Sequence, residues 1–446
     1  MKLYLHQIKV LDETKAMRRV AYYLDMGLGK TYVGSEKMFQ LNEMVNLVVC
    51  QKSKINDWFN HFVENYSGRG VIFNNLTNKN EFEYFLSVAR QGATQIIGII
   101  NYELAWRRKQ LLELNDFTLM LDESSLIQND RAKQSKFILK LDPANVILLS
   151  GTPTAGKYER LWTQAHLLGW KISKRTYDDT YINWDMLDIG GTKVRVVSKR
   201  HPYKNVDRLK RKFREHGAVF MKTEDVLNLP EQNFITVMVD KAKTYDKFMK
   251  TGYLVLDTKN LVEWKDESDF YWKDATPKIE LIGNTTLTMR LYLRMLASQY
   301  NENKIKALKD LIESTNDRLI IFYNFNAELE TLTGICEALK RPVSVVNGEH
   351  KDLLAYENYR DSISLIQYQA GSMGLNLQKA NKIIYFSLPE RSELFEQSKK
   401  RIHRIGQKQP CFYYVLMATG TIDNNIYKAL QERRDFTDEL FKEVIK

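Results

Sequence analysis

Cysteine is scarce. The three in 446 residues, Cys50, Cys336 and Cys411, lie far apart and match neither a disulfide framework nor a zinc-ligand spacing. They read as ordinary buried thiols. No apolar run approaches the length of about 18 residues needed to span a bilayer, and the first residues, MKLYLHQIKV, lack the apolar core of a signal peptide. The expectation is therefore an intracellular, soluble chain with no membrane partner. Low-complexity tracts are missing. Outside one acidic pair, no histidine or carboxylate cluster suggests a nuclease-type metal site.

What is present is the composition of a folded protein, 44% hydrophobic and 27% charged. The length exceeds what one core usually serves, so two or three domains are expected. Lys and Arg outnumber Asp and Glu by 66 to 55, a formal charge of +11. Such a balance favours polyanionic partners, because each phosphate contact displaces condensed counterions. The densest basic stretch is KRHPYKNVDRLKRKFREHG, residues 199–217. Two readings of it stay open, a solvated amphipathic helix and a nucleic-acid contact through Arg208, Lys210, Arg211 and Arg214.

Short β-branched runs alternate with helical stretches, the pattern of parallel α/β units. The first series is VNLVVC, IIGIIN, FTLMLDE and NVILLSGT; the second is RLIIFYNF, PVSVVNG, SISLIQYQA, NKIIYFSL and CFYYVLMAT. The organisation expected is an α/β domain over 1–169, a mainly helical, basic insertion or linker over 170–300, a second α/β domain over 301–421 and a terminal helix over 422–446. That helix would bury Ile426, Leu430, Phe436, Leu440 and Val444.

Chemistry concentrates in three strand exits. In YYLDMGLGKTYVG, Gly27, Leu28 and Gly29 make a tight turn whose N–H groups can face a phosphate, with Lys30 as a point charge and Thr31 as a hydroxyl for Mg²⁺. A helix starting at Lys30 adds its dipole. Leu24 stands where the general phosphate-loop pattern has its first glycine. In FTLMLDESS, Asp122 and Glu123 end a strand, one carboxylate suited to Mg²⁺ and the other to an attacking water. In NVILLSGTPTAG, Ser150 and Thr152 follow a third strand and can bond the acidic pair. Near the end, EQSKKRIHRIGQKQP sets Gln397, Arg401 and Arg404 at i, i+4 and i+7, one face if the stretch is helical. Lys399, Lys400 and Lys408 fall elsewhere and are assigned to solvent.

These segments, in this order, resemble the Snf-type (switch/sucrose-non-fermenting) branch of the superfamily-two helicase-like ATPases. DMGLGKT resembles its motif I, LVVCQKSKINDWFNHF motif Ia with Trp58, LDES motif II, SGTP motif III, RLIIFYNFNAELETL motif IV, YQAGSMGLNLQKANKIIYF motif V and EQSKKRIHRIGQKQP motif VI. The resemblance spans nearly the whole chain. It implies two RecA-like parallel-sheet domains, with ATP and Mg²⁺ as cofactors. It further implies phosphate binding by Gly27, Leu28, Gly29, Lys30 and Thr31, and Mg²⁺ held by Thr31 and Asp122 with Glu123 activating water. Gln7 would read adenine. Arg401 and Arg404, with Gln397 beside them, would act on the nucleotide; Gly371, Gly374 and Asn376 would link it to a DNA track. A guanidinium suits that task because it meets charge building on the γ-phosphoryl oxygens with a planar fork.

Several positions depart from the family pattern. Gln51 replaces a proline, Ser125 a histidine that relays to motif III, and Gly156 an asparagine, while YFSLPERSELFEQ lacks the usual aspartate and tryptophan. None is a phosphate or magnesium ligand. The expected function is an ATP-driven motor tracking along double-stranded or branched DNA, working as a monomer in a bacterial or phage-infected cytoplasm, in replication, recombination or DNA processing. Two alternatives stand beside it: a strand-separating helicase acting on forks, R-loops or RNA with Trp264, Tyr271 and Trp272 as a stacking surface, and a non-catalytic DNA-binding scaffold or loader.

Overall fold

The computed structural model describes residues 3–154, 156–257, 278–371 and 375–441. Two compact units divide between Asn228 and Leu229. In the first, six strands alternate with helices: β1 (Arg19–Leu24), β2 (Val45–Cys50), β3 (Ile72–Asn75), β4 (Ile96–Asn101), β5 (Phe117–Asp122) and β6 (Asn145–Leu149). A hairpin, β7 (Trp184–Ile189) and β8 (Thr192–Val197), precedes a last short strand, β9 (Ala218–Met221). The sheet order is β3-β4-β2-β5-β6-β1-β9, every pair parallel.

Sequence patterning explains this sheet. Both faces of a parallel sheet are covered by crossover helices, so its strands are apolar at successive positions. Along β2, Val45, Leu47 and Val49 enter one core and Val48 and Cys50 the other. Helix Lys30–Leu41 comes so close to the sheet that a Cβ on Gly34 would stand 2.9 Å from Leu149 and Met120 side-chain atoms. Register then brings three strand ends together, with Tyr22 opposite Leu149 and Leu149 opposite Asp122. The three chemical loops leave the same carboxyl edge of the sheet, where open α/β sheets bind ligands.

The second unit, Leu229–Glu432, is built on β10 (Gln232–Val239), β13 (Leu319–Tyr323), β14 (Val343–Val346), β15 (Ile363–Gln367), β16 (Lys382–Tyr385) and β17 (Cys411–Ala418), with a separate hairpin of β11 (Tyr253–Asp257) and β12 (Lys278–Ile282). Its sheet runs β10-β17-β16-β13-β15-β14, again parallel throughout. A buried ion pair, Lys304 Nζ to Asp423 Oδ2 at 2.8 Å, ties helix Glu302–Glu313 to the start of the last helix, Ile422–Phe441. All three cysteines are buried, as expected.

The expected 170–300 segment does not stand as a unit of its own. Its first part supplies β9 to one sheet and its later part supplies β10 to the other. It is also less helical than expected, since it contains both hairpins. β9 is only four residues long, and β10 is an edge strand with Phe234, Ile235 and Met238 exposed, so neither shows the buried run that marks a central strand. Ile426 and Leu430 of the last helix are buried. The side chains of Phe436, Leu440 and Val444, like Trp264, Tyr271 and Trp272, lie outside what is described. Among the described residues, no helix is long and apolar enough to cross a membrane.

Candidate nucleotide site

β1 delivers the chain into Asp25–Gly29, and the helix begins at Lys30. Gly27 and Gly29 adopt φ of 87° and 77°, backbone that side chains rarely tolerate, and this turns the loop back over the strand end. The loop is held from two sides. Gln7 donates from Nε2 to Leu28 O at 3.1 Å and accepts Tyr4 N–H at 2.9 Å, while His6 Nε2 also reaches Leu28 O at 3.1 Å. A Cβ on Gly29 would come 2.1 Å from Gln7 Nε2, so glycine is required for this approach as well as for its φ. On the other side, Thr223, just past β9, donates to Asp25 Oδ2 at 2.8 Å, and Asp25 Oδ1 accepts Met26 N–H at 2.9 Å. Lys30 Nζ folds back onto Leu24 O at 2.9 Å, and a Cβ on Gly151 of the SGTP loop would stand 3.2 Å from it. Thr31 is half-buried at the head of the helix.

Asp122 ends β5. Its Oδ2 accepts Trp58 Nε1–H at 2.8 Å and its carbonyl accepts the Tyr102 hydroxyl at 2.8 Å. Poor hydration raises its carboxyl above the ordinary aspartate value, and the Trp58 hydrogen bond and the Lys30 charge pull the other way. Glu123 follows at φ 51°, ψ 58°, a left-handed conformation costly for a non-glycine residue and concentrated at functional sites. Ser150 Oγ donates to Glu123 Oε2 at 3.4 Å and accepts Thr152 N–H at 3.1 Å, while Thr152 Oγ1 is buried with no hydrogen-bond partner. The expected bond between the SGTP loop and the acidic pair is therefore formed by Ser150.

In the second unit the expected helical face does not form. Helix Ser392–Lys399 ends before Arg401, and Arg401 and Arg404 lie on the turns that follow. Those turns are fixed to the chain after Gly371–Gly374. Leu377 N–H bonds Arg401 O at 3.1 Å, Arg404 Nη1 reaches Leu375 O at 3.5 Å and Gln407 Nε2 donates to Ala380 O at 2.8 Å. Burial lowers the Arg404 pKa. Gln397 Oε1 is buried without a hydrogen-bond partner, an acceptor that calls for one. Asn376 is exposed, Gly371 closes a short helix, and Gly374 lies outside the described residues.

Two assignments to solvent or nucleic acid change. Lys399 is buried against the Phe234 and Phe395 rings and paired with Glu396 at 2.5 Å, so it is no solvated residue. In helix Val206–Glu215, Arg208 and Arg211 are exposed, but Lys210 is 1% exposed and Arg214 lies over the Phe220 ring. The amphipathic period turns those two inward beside Leu209 and Phe213.

Family models match in two places: a SNF2-related domain over residues 23–294 and a helicase conserved C-terminal domain over residues 303–406. The chain belongs to the SNF2-related family. Among relatives of this SNF2-related chain, YwqA of Bacillus subtilis is 23% identical over 354 residues, 73% of this chain and 36% of the relative. The yeast DNA repair and recombination protein RDH54 (Saccharomyces cerevisiae) is 23% identical, covering 85% of this chain and 43% of its own length. The mouse SWI/SNF-related matrix-associated actin-dependent regulator of chromatin subfamily A member 1 is 22% identical over 90% of this chain and 39% of its own length. The chain thus spans less than half the length of each. A solved structure, the Sulfolobus solfataricus SWI2/SNF2 ATPase core in complex with dsDNA, matches at 19% identity and TM-score 0.45, covering 98% of this chain and 92% of that one.

Sequence reasoning missed several partners of this SNF2-related site. Trp58 belongs to the motif Ia segment, but its bond to Asp122 has no sequence signature. Asp25 opens the DMGLGKT motif, but nothing in the sequence marks its bond to Thr223, which carries no motif signal. Gln164 lies in the mixed run LWTQAHLL, where nothing in the sequence separates it from the neighbouring polar residues Thr163 and His166.

Proposed function

We propose that the chain is an ATP-hydrolysing motor that tracks along duplex DNA. The observation that carries this reading is the convergence at one sheet edge of a glycine-shaped phosphate loop with Lys30, a half-buried Asp122 and a strained Glu123. In the proposed cycle, loop N–H groups and Lys30 hold the β- and γ-phosphates and Glu123 orients and deprotonates water. Arg401 and Arg404 meet charge on the γ-phosphoryl oxygens, and the Gln397 Oε1, buried without a donor, takes one up when nucleotide binds. Gln7 serves as the adenine contact.

Magnesium fits the donor set. Asp122 and Thr31 offer only two hard oxygen donors, which suits an ion that keeps waters and takes further ligands from phosphate. Among the described residues no cluster of three or more His, Cys, Asp or Glu could hold a metal without nucleotide. Exposed basic residues such as Arg208 and Arg211 supply charge for a phosphate backbone.

The test is displacement of a triplex-forming strand from intact duplex, beside unwinding of forked DNA and RNA. ATP-dependent triplex displacement without fork unwinding supports a translocase. Unwinding of forks or RNA without triplex displacement supports the strand-separating alternative, and neither activity with intact ATP binding supports the scaffold.

A further inference from the structure

The first unit contains a run of polar side-chain contacts that the hydrolytic roles above leave unused. Gln164 is fully buried in helix Trp162–Leu167. Its Oε1 accepts from the Ser124 hydroxyl at 2.8 Å and the Tyr23 hydroxyl at 2.9 Å, and its Nε2 donates to Pro153 O at 2.8 Å. One carboxamide therefore joins the residue after Glu123 to the SGTP loop and to β1. Gln128 adds a parallel contact to Pro153 O at 3.5 Å. Ser125, where the family's relay histidine would stand, is not part of these bonds. A buried amide with both ends bonded is held in one orientation, and moving either loop leaves a buried polar group unsatisfied.

The same chain of contacts continues to the surface. Thr154 Oγ1 accepts Gly156 N–H at 3.0 Å, and the Tyr203 hydroxyl lies 3.3 Å from Gly156 O and 3.0 Å from Glu159 Oε2. The Tyr203 ring stacks on Tyr158 with centroids 4.4 Å apart. Tyr203 sits in residues 198–205, a loop pinned to the chain before the hairpin by Ser198 N–H to Asn183 O, Asn183 N–H to Pro202 O and Lys204 N–H to Tyr181 O, at 2.9, 2.9 and 3.0 Å. Lys199, Arg200 and Lys204 on this loop are exposed and form no ion pair among the described residues. Nearby Lys174, Arg195 and Lys212 are each paired with a carboxylate. Lys204 also faces the exposed Asp179 carboxylate without pairing with it, and a fixed backbone carrying three exposed cations outside any ion pair is complementary to a phosphate backbone.

We infer that Lys199, Arg200 and Lys204 form a DNA-backbone contact surface, and that Tyr203 and Gln164 are positioning residues that carry its occupancy to the SGTP loop and the acidic pair. The inference rests on the motor reading and names a surface and a link within it. A loop displaced by DNA moves Tyr203 against Gly156, and the Gln164 carboxamide makes the SGTP loop and the segment after Glu123 respond together. Contact alone is not coupling, so the test is a mutant cycle.

ATPase of the full chain is measured without DNA and with saturating duplex, and duplex binding is titrated against salt. Replacing Lys199, Arg200 and Lys204 together by Gln lowers the salt slope by about 2 to 3, whereas replacing three exposed lysines of the second unit does not. Tyr203→Phe keeps duplex affinity and salt slope but lowers the ratio of DNA-stimulated to basal turnover by about five-fold. Gln164→Met lowers the same ratio, and the double variant falls no further than the worse single one. An unchanged slope in the triple variant overturns the surface, and independent, multiplying effects of Tyr203→Phe and Gln164→Met overturn the link. If Gln164→Met fails to fold, a wild-type ratio in Tyr203→Phe alone still defeats the link. A wild-type chain that no DNA stimulates removes the motor reading and this inference with it.

Discussion

The two units carry their candidate residues on different supports. In the first, Asp122, Glu123 and Ser150 stand at or just past the ends of adjacent parallel strands, whose register fixes their spacing, and Lys30 follows a third strand across the short Asp25–Gly29 loop. In the second, Arg401 and Arg404 ride on turns beyond a short helix, held by backbone bonds to residues 375–380. Strand-end residues inherit the rigidity of the sheet. Residues on turns depend on the chain beneath them, which suits groups that must respond to a bound ligand.

The largest effect sharpening this contrast is on the sheet side. Lys30→Ala abolishes ATP turnover, and Glu123→Gln retains nucleotide binding while lowering turnover by about 10³ or more; binding is read by fluorescent-nucleotide titration. Next comes Arg404→Ala, which slows hydrolysis by about 10³, the low end for an arginine acting on a γ-phosphoryl group, with little change in Tm because the side chain is only half-buried. Arg401→Ala slows it too but also lowers Tm, since Arg401 is 8% exposed. Wild-type turnover by Arg404→Ala removes the role proposed for Arg404, and wild-type turnover by both variants leaves the second unit without a part in chemistry.

Smaller effects follow from Asp122. Its pKa is raised by poor hydration, with Trp58 pulling the other way, so its anion, the form proposed to hold Mg²⁺, forms at higher pH than in an ordinary aspartate. Trp58→Phe removes a lowering influence and moves the acid limb of the ATPase pH profile upward. The raised pKa also means that folding favours the protonated form. Stability is lost as pH rises from the ordinary aspartate value through the raised folded one, and stays lost at neutrality. Asp122→Asn therefore raises Tm at pH 7 while ending Mg²⁺-dependent turnover, and the gain in Tm shrinks as pH falls toward about 4. A lower Tm for Asp122→Asn at pH 7 contradicts the burial argument.

How legible each part was follows from the same contrast. VNLVVC, IIGIIN, FTLMLDE and NVILLSGT correspond to β2, β4, β5 and β6, because a central parallel strand is apolar on both faces and has few competitors for that pattern. The loops after β5 and β6 were readable because their chemistry sits at a strand exit. The helical spacing of Gln397, Arg401 and Arg404 was a true regularity without a helix behind it, since helix Ser392–Lys399 ends first. Lys399 and Lys210 were misjudged because charge suggests solvent, while their aliphatic stems can lie against apolar neighbours with the ammonium paired. The tie from Thr223 to Asp25 spans 198 positions, and no local pattern announces such a contact.

The most direct measurement is steady-state ATPase of the chain with no nucleic acid, single-stranded DNA, duplex DNA, branched DNA and RNA. A low basal rate raised chiefly by duplex DNA, and absent in Lys30→Ala under every condition, is the predicted result. Stimulation by RNA alone, or turnover that survives in Lys30→Ala, contradicts the account.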